Sequence, residues 1–473
     1  MVLSLPRIAS SVGVVLIMLL SGCAASQDSP STPFPRDVPS SWPSDVAIAK
    51  LPITSDLLDL VDEQHVEQLV REGLENNPNL RATALRLKAA GYLLSGPRSR
   101  LLPQLSAEFA KGRGKQETGL GRPNTTDSHR LSLGVRWEID LWGRLADEYA
   151  AAQYAILAQD YEYLRVRDAL AARIIQVWLQ QAAARRSLSI EQQRVAVLER
   201  IETILLERYQ NGIGSLDELS TARSRTEIAH ADLSVRRAIW QQTIRNLELL
   251  LGRHPRGELL VDKRLPEIAP PSPGVPADIL LNRPDIKAAL AQAESARQTA
   301  RAAEKAMLPD IRLSGQLFRE AARLDNLSGA TTYWNVLGSL FQPLFEGGRI
   351  KNEARARRTE TEAALLALRE VILEALKEVE DAFDAERELA LQAQSLRLAA
   401  RESEKSSRYY EGRYRQGLDT VQNLLIAREQ EMSVKVRLNQ VQAERLINRI
   451  DMALALGVGL ADRPTSSQGV ASL

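Results

Sequence analysis

Catalysis by a metal, a phosphate-binding loop or an activated nucleophile requires particular side chains at particular spacings. The sequence offers little of this. Its four histidines, His65, His129, His230 and His254, are scattered without ligand spacing. No phosphate loop, nucleophile elbow or zincin motif is present. Asp and Glu number 60 and Lys and Arg 61, and their helical spacing points to surface ion pairs. An enzyme is not expected. The formal net charge of +1 provides no basic field for nucleic acid. Cys23 stands apart. It is the only cysteine, so a disulfide framework and a cysteine metal site are both excluded, and the chemistry left to it is covalent modification.

The segment around Cys23 sets that chemistry. Arg7, the apolar run Val12 to Leu20 and then Leu20-Ser21-Gly22-Cys23 have the layout of a secretory signal. The tetrad resembles the bacterial lipoprotein signal, which implies cleavage after residue 22 and acylation of Cys23. No Asp follows the cysteine (Ala24, Ala25), which by the same resemblance favours the outer membrane. Residues 23–60, rich in Ser, Pro and Asp over their first half, read as a lipidated tether. No later apolar run is long enough for a transmembrane helix.

The elements that organise the rest are strands joined to very long helices. From Leu131 to Leu141 every odd residue is apolar, and Ser132, Gly134, Arg136, Glu138 and Asp140 lie between them. Such alternation is a strand with one dry face and one wet face. A soluble sandwich strand has the same pattern. The charges on the wet face, and a length suited to one tilted bilayer pass of about 9–11 residues, favour a membrane strand. Strands are expected at about 104–111, 130–141, 310–318 and 333–344, with a loop from Lys111 to Ser128. Long helices are expected at about 144–211, 217–251, 348–416 and 420–456, the second capped by Asp217. Asn77 caps a helix that starts at Pro78, and Gly96-Pro97 should kink or break it near its end.

The chain repeats itself. Asn77-Pro78 is answered by Arg283-Pro284 and Leu102-Pro103 by Leu308-Pro309, each 206 residues on. Gly143-Arg144, Arg208-Tyr209, Ala222-Arg223 and Leu251-Gly252 are answered 205 residues on by Gly348-Arg349, Arg413-Tyr414, Ala427-Arg428 and Leu456-Gly457. Shared helical composition alone would not hold this register. The first repeat is 61–260, a linker covers 261–276, the second repeat is 277–458 and a tail covers 459–473. The fold class is mainly α with a membrane β-barrel, built from duplicated helix-strand-strand-helix repeats. Four strands cannot close a barrel, an open edge in lipid leaves backbone groups unpaired, and single-chain barrels begin at about eight strands. Several chains must therefore share one barrel, most simply as a ring.

With these features in order, the sequence resembles the outer membrane efflux protein family, the TolC and OprM type, and within it the lipoprotein channels of tripartite efflux systems. The carriers are Cys23, the duplicated plan, Asn282-Arg283-Pro284-Asp285-Ile286, Leu308-Pro309, Phe345-Glu346-Gly347-Gly348-Arg349 and the Arg-Tyr-x-x-Gly turns. The resemblance implies a homotrimer with a twelve-stranded outer-membrane β-barrel continued by a long periplasmic α-helical barrel. It implies no cofactor beyond the covalent lipid at Cys23, and as partners outer-membrane lipid, a periplasmic adaptor (membrane fusion) protein and an inner-membrane pump. Small molecules such as drugs would pass through passively; type I protein secretion and metal efflux are the alternatives within the class, and a lipid-anchored coiled-coil scaffold the alternative outside it. Gly212, Ile213, Gly214, Gly417 and Leu418 would form tips that meet the adaptor. Tyr414, Asp419, Arg428, Glu429, Asp217, Glu218 and Arg223 would line a periplasmic aperture. Family members often carry Asp where this chain has Ile426, a departure that bears on how the aperture closes.

Overall fold

The computed structural model describes residues 56–61, 63–118, 122–259, 264–271 and 282–461. All belong to the compact unit Val38–Leu473. Cys23, the signal, most of the tether, half of the linker and nearly all of the tail lie outside the described residues.

Helix α1 (Gln64–Asn76) buries Val66, Leu69, Val70 and Gly73 at helical spacing. Gly73 lets the backbone approach α4 (Arg144–Gln210) closely, since a Cβ there would lie 2.3 Å from Ile174 Cδ1. Asn77 then caps α2 (Pro78–Leu93), its side chain accepting from the Asn79 and Leu80 amides at 3.0 and 3.1 Å. As the sequence predicts, the helix breaks before Gly96-Pro97. It ends at Leu93 and restarts as α3 (Ser95–Arg100), because Pro97 has no N–H to continue the ladder.

Four antiparallel strands follow the order β1-β2-β3-β4: β1 (Gln104–Thr118), β2 (Arg122–Ile139), β3 (Asp310–Ala321) and β4 (Thr332–Phe341). The register carries the dry face of β2 across the sheet. Leu105, Ala107 and Phe109 oppose Val135, Leu133 and Leu131. Leu133, Trp137 and Ile139 oppose Leu317, Leu313 and Ile311, and Leu317 in turn opposes Trp334. Leu133, Leu317, Val336 and Trp334 are exposed, so a continuous apolar face covers nothing within the chain. The opposite face carries Ser106, Glu108, Arg136, Glu138, Arg312 and Gln316. Phe318 stacks on Tyr333 there, ring centroids 5.4 Å apart. Two sequence expectations are corrected. The segment Lys111–Ser128 is not a loop, since most of it continues the β1–β2 ladder to Thr118↔Arg122; its glycines and charges hide the strand from a propensity reading. The fourth strand ends at Phe341 rather than near 344.

Helices α4 and α7 (Arg349–Arg415) are both 67 residues long, about 100 Å at the helical rise, and each follows a glycine of positive φ, Gly143 or Gly348. Helices α5 (Leu216–Leu250) and α8 (Val421–Ala455) are both 35 residues. Leu368, Ala375, Val379, Ala382 and Ala393 are buried along α7. The cap of α5 is Ser215, whose Oγ accepts from the Glu218 amide at 3.2 Å, and not Asp217. Helix α6 (Pro284–Lys305) packs between α4 and α7. Buried Arg283 ties it down, donating to Asp285 (2.6 Å), Glu378 (2.6 Å) and the Ala455 carbonyl (3.0 Å). Burial acts to lower its pKa, but Asp285 and Glu378 outweigh that effect and raise it. One apolar cluster joins α1, the middle of α4, the C-terminal ends of α5 and α8, and Ile268 of the linker, and a second lies at the helix turns.

Candidate functional site

The two helix turns are built alike. After α4, the Gly212 amide donates to Tyr209 O and the Ile213 amide to Arg208 O, both at 3.0 Å. After α7, Gly417 donates to Tyr414 O (3.0 Å) and Leu418 to Arg413 O (2.9 Å). This is the Schellman closure, and it requires the positive φ of Gly212 (+75°) and Gly417 (+73°). Beyond each glycine stands an exposed apolar residue, Ile213 (69%) or Leu418 (59%). Gly214 has an ordinary φ but no room, since a Cβ would lie 3.0 Å from Tyr209 N. The turns share one apolar cluster: Leu198, Ile201 and Leu205 of α4, Leu219 and Ala222 of α5, and Val421, Leu424 and Leu425 of α8, flanked by Tyr410 and Tyr414.

The predicted aperture residues do not form one constellation. Asp419 is held locally by the Asn423 amide side chain (2.8 Å), the Thr420 amide (2.9 Å) and Arg413 Nε (3.1 Å). Hydrogen bonds from Asn423 and Thr420, with Arg413, keep its carboxyl below the ordinary aspartate range. Arg428 joins Glu411 of α7 to Glu431 (3.0 Å) of its own helix. Glu429 reaches the first repeat, at 2.7 Å from Arg225 and 4.0 Å from Arg194. Arg223 pairs with Glu202 inside its own hairpin at 3.3 Å. Tyr414 packs on the apolar cluster with its hydroxyl 3.5 Å from Arg208. Asp217 is exposed and has no side-chain partner among the described residues, and Glu218 takes part through its backbone amide. Ile426 is exposed at 51%.

Sequence reasoning missed Glu411, Glu431, Lys435, Arg194 and Arg225. The i, i+3 and i, i+4 spacing of Arg428, Glu431 and Lys435 could have exposed one group; Arg194 and Arg225 reach Glu429 only through packing. Glu431 is buried (3%) and accepts from Lys435 at 2.6 Å. Burial pushes its carboxyl up, but Lys435 and Arg428 outweigh that and hold it below the ordinary glutamate value. A depressed carboxyl contributes stability that is full above its unfolded value of about 4.3 and is lost as pH falls through the lower folded value. Thermal unfolding followed against pH should therefore show no Glu431-linked change near neutrality. On the acid side the fall in midpoint should be shallower in Glu431→Gln, and parallel profiles would remove Glu431 from the acid limb.

The chain compares as follows with known proteins. The family described as outer membrane efflux protein matches residues 69–253 and 275–458, one block per repeat. Outer membrane protein OprJ of Pseudomonas aeruginosa is 28% identical over 468 residues, covering 95% of this chain and 96% of that protein. The toluene efflux pump outer membrane protein TtgF of Pseudomonas putida is 26% identical over 479 residues, covering 96% and 98%. Among solved structures, a membrane protein from Pseudomonas aeruginosa superposes with a TM-score of 0.83 at 26% identity, over 90% of this chain and 99% of that one. The outer-membrane channel OprN shares the fold, with a TM-score of 0.83 at 24% identity over 91% and 98%. With the duplicated plan, the unpartnered apolar sheet face and the paired helix turns, these matches establish that the chain belongs to the outer membrane efflux protein family, the channels that form the exit duct of efflux pumps in the outer membrane of Gram-negative bacteria.

Proposed function

We propose that the duct is a homotrimer, anchored by acyl chains on Cys23, that passively conducts small molecules such as drugs delivered by a periplasmic adaptor and an inner-membrane pump. One observation carries the trimer: a four-stranded sheet with an apolar outward face and two open edges, β1 and β4. In lipid each unpaired backbone group costs several kcal/mol, and pairing β1 of one copy with β4 of the next removes both edges. Two copies would give eight strands, a barrel whose interior is filled by side chains, so three copies form the smallest closed ring that leaves room for a duct. The names of similar proteins support the substrate class, since TtgF belongs to a toluene pump and OpmQ exports pyoverdine. Ile213 and Leu418 at the turns are the apolar contacts offered to the adaptor.

The tip is the proposed gate, held shut by Arg428 with Glu411 and Glu431 and by Glu429 with Arg225. Pairs of this kind contribute about 1 kcal/mol each, and Arg428 makes two, so Arg428→Ala should raise the open-to-closed ratio roughly 5- to 30-fold. Single-channel recordings in planar bilayers measure this. Asp419→Ala should also raise conductance, but less, because every contact of Asp419 lies within its own turn. Conductance unchanged in both variants would sink the gate. Heat-modifiable trimers extracted from outer membranes test the ring, and deletion followed by drug, dye and metal sensitivity screens tests the substrate class.

A further inference from the structure

The outward face of β1 changes character along its length. Leu105, Ala107 and Phe109 are followed on the same face by Lys111, Arg113 and Lys115, because side chains two apart on a strand share a face. The residues between the cations are Gly112 and Gly114, so the basic residues point one way and no side chain points the other. A Cβ on Gly112 would lie 2.8 Å from Ser128 Oγ, so the inner side of the ribbon is closely packed there. The register sets Lys111, Arg113 and Lys115 against His129, Asp127 and Thr125 of β2. Of the three, only Arg113 has an acidic partner among the described residues, Asp127 at 3.4 Å, and it stays 74% exposed. Lys111 and Lys115 are exposed without an ion-pair partner among the described residues. Arg319, in the row of Leu131 and Thr332, adds a fourth cation where the apolar rows end.

No basic residue interrupts the outward rows below, from Phe109 to Leu105, Leu131 to Ile139, Leu317 to Ile311 and Trp334 to Leu340. The cations thus gather at one end of the sheet, the end away from the long helices, just past Phe109 and Trp334. In this family's orientation the helices lie in the periplasm, so the cationic end is external. At that level the outer leaflet of a Gram-negative outer membrane presents phosphorylated glycolipid. From this juxtaposition we infer that Lys111, Arg113 and Lys115 form a binding surface for the phosphate groups of outer-leaflet glycolipid. The glycolipid phosphates seat on the outward side of the β1–β2 ribbon and fix the depth of the sheet in the bilayer. The inference goes beyond conduction, and its test does not depend on transport.

The test uses the full-length channel purified from outer membranes in detergent, titrated by native mass spectrometry with bisphosphorylated lipid A and with the same lipid dephosphorylated. Each basic residue at an anionic surface is worth about fivefold in affinity, so the three together should favour the phosphorylated form by on the order of 100-fold at low salt. The preference should shrink as salt rises. Replacing all three, Lys111→Gln, Arg113→Gln and Lys115→Gln, should abolish it while heat-modifiable assembly and conductance persist. If that variant does not assemble, Lys111→Gln and Lys115→Gln singly should each lower the preference about fivefold. Equal binding of the two lipids by the unaltered channel, or an undiminished preference in the variants, overturns the assignment and leaves the lysines as solvated charges on a strand edge.

Discussion

Val135→Arg should abolish stable assembly. Val135 lies midway along the outward apolar run of β2, Leu131 to Ile139, opposite Leu105 on one side and Gly315 on the other, and is 39% exposed. A cation at the midplane of a barrel's lipid face costs about 2–4 kcal/mol per subunit. A ring repeats that cost in every copy, so the total rivals the whole stability of a typical domain, about 5–15 kcal/mol. The control is Gln316→Arg, which places the same side chain on the opposite face, where Arg136 and Arg312 already stand. Heat-modifiable oligomer recovered from outer membranes should vanish in the first variant and persist in the second. Equal yields would mean that the apolar face does not meet lipid.

Glu386→Ala should be the most damaging single change in the helices. One carboxylate oxygen of Glu386 on α7 accepts from both Arg445 (2.9 and 3.0 Å) and Arg449 (2.6 and 3.1 Å) of α8, and the residue is 5% exposed. Arg449 also donates to the Ile268 carbonyl, so the linker hangs on the same group. Removing the acid leaves two guanidiniums close together without a counter-charge. Breaking a buried pair from one side costs about 3–5 kcal/mol. The thermal midpoint of the detergent-solubilised protein should fall steeply in Glu386→Ala and by less in Glu386→Gln, which keeps an acceptor but no charge. A midpoint within error of the unaltered chain would show that the arginines find other partners.

The parts of this molecule that are legible in sequence are those written in local periodicity. Alternation from Leu131 to Ile139 locates a strand and its dry face, and the glycines before Arg144 and Arg349 and after Tyr209 and Tyr414 fix where the long helices begin and end. Contacts made by packing are not legible. Nothing near Glu429 in the chain announces Arg225, and nothing near Glu386 announces Arg445. The capping of α5 shows the limit of residue type: Ser215 and Asp217 are both good caps, and only the extended backbone at Ser215 (φ −96°, ψ 151°) decides between them. The ribbon beyond Phe109 shows another. Lys-Gly-Arg-Gly-Lys reads as a loop until its ladder with β2 is seen, and then its alternation assigns every cation to one face.

The matched helix lengths, 67 residues in α4 and α7 and 35 in α5 and α8, constrain how such a duct can change its reach. One residue inserted into α4 alone would push its turn about 1.5 Å past its counterpart and rotate it by about 100°. That would pull Leu205 and Leu219 out of register with Leu424 and Leu425. A lineage adapting to a wider or narrower periplasm must therefore add or delete near-whole turns in both arms of both hairpins together. Partner proteins are therefore expected to absorb spacing differences that the duct itself cannot.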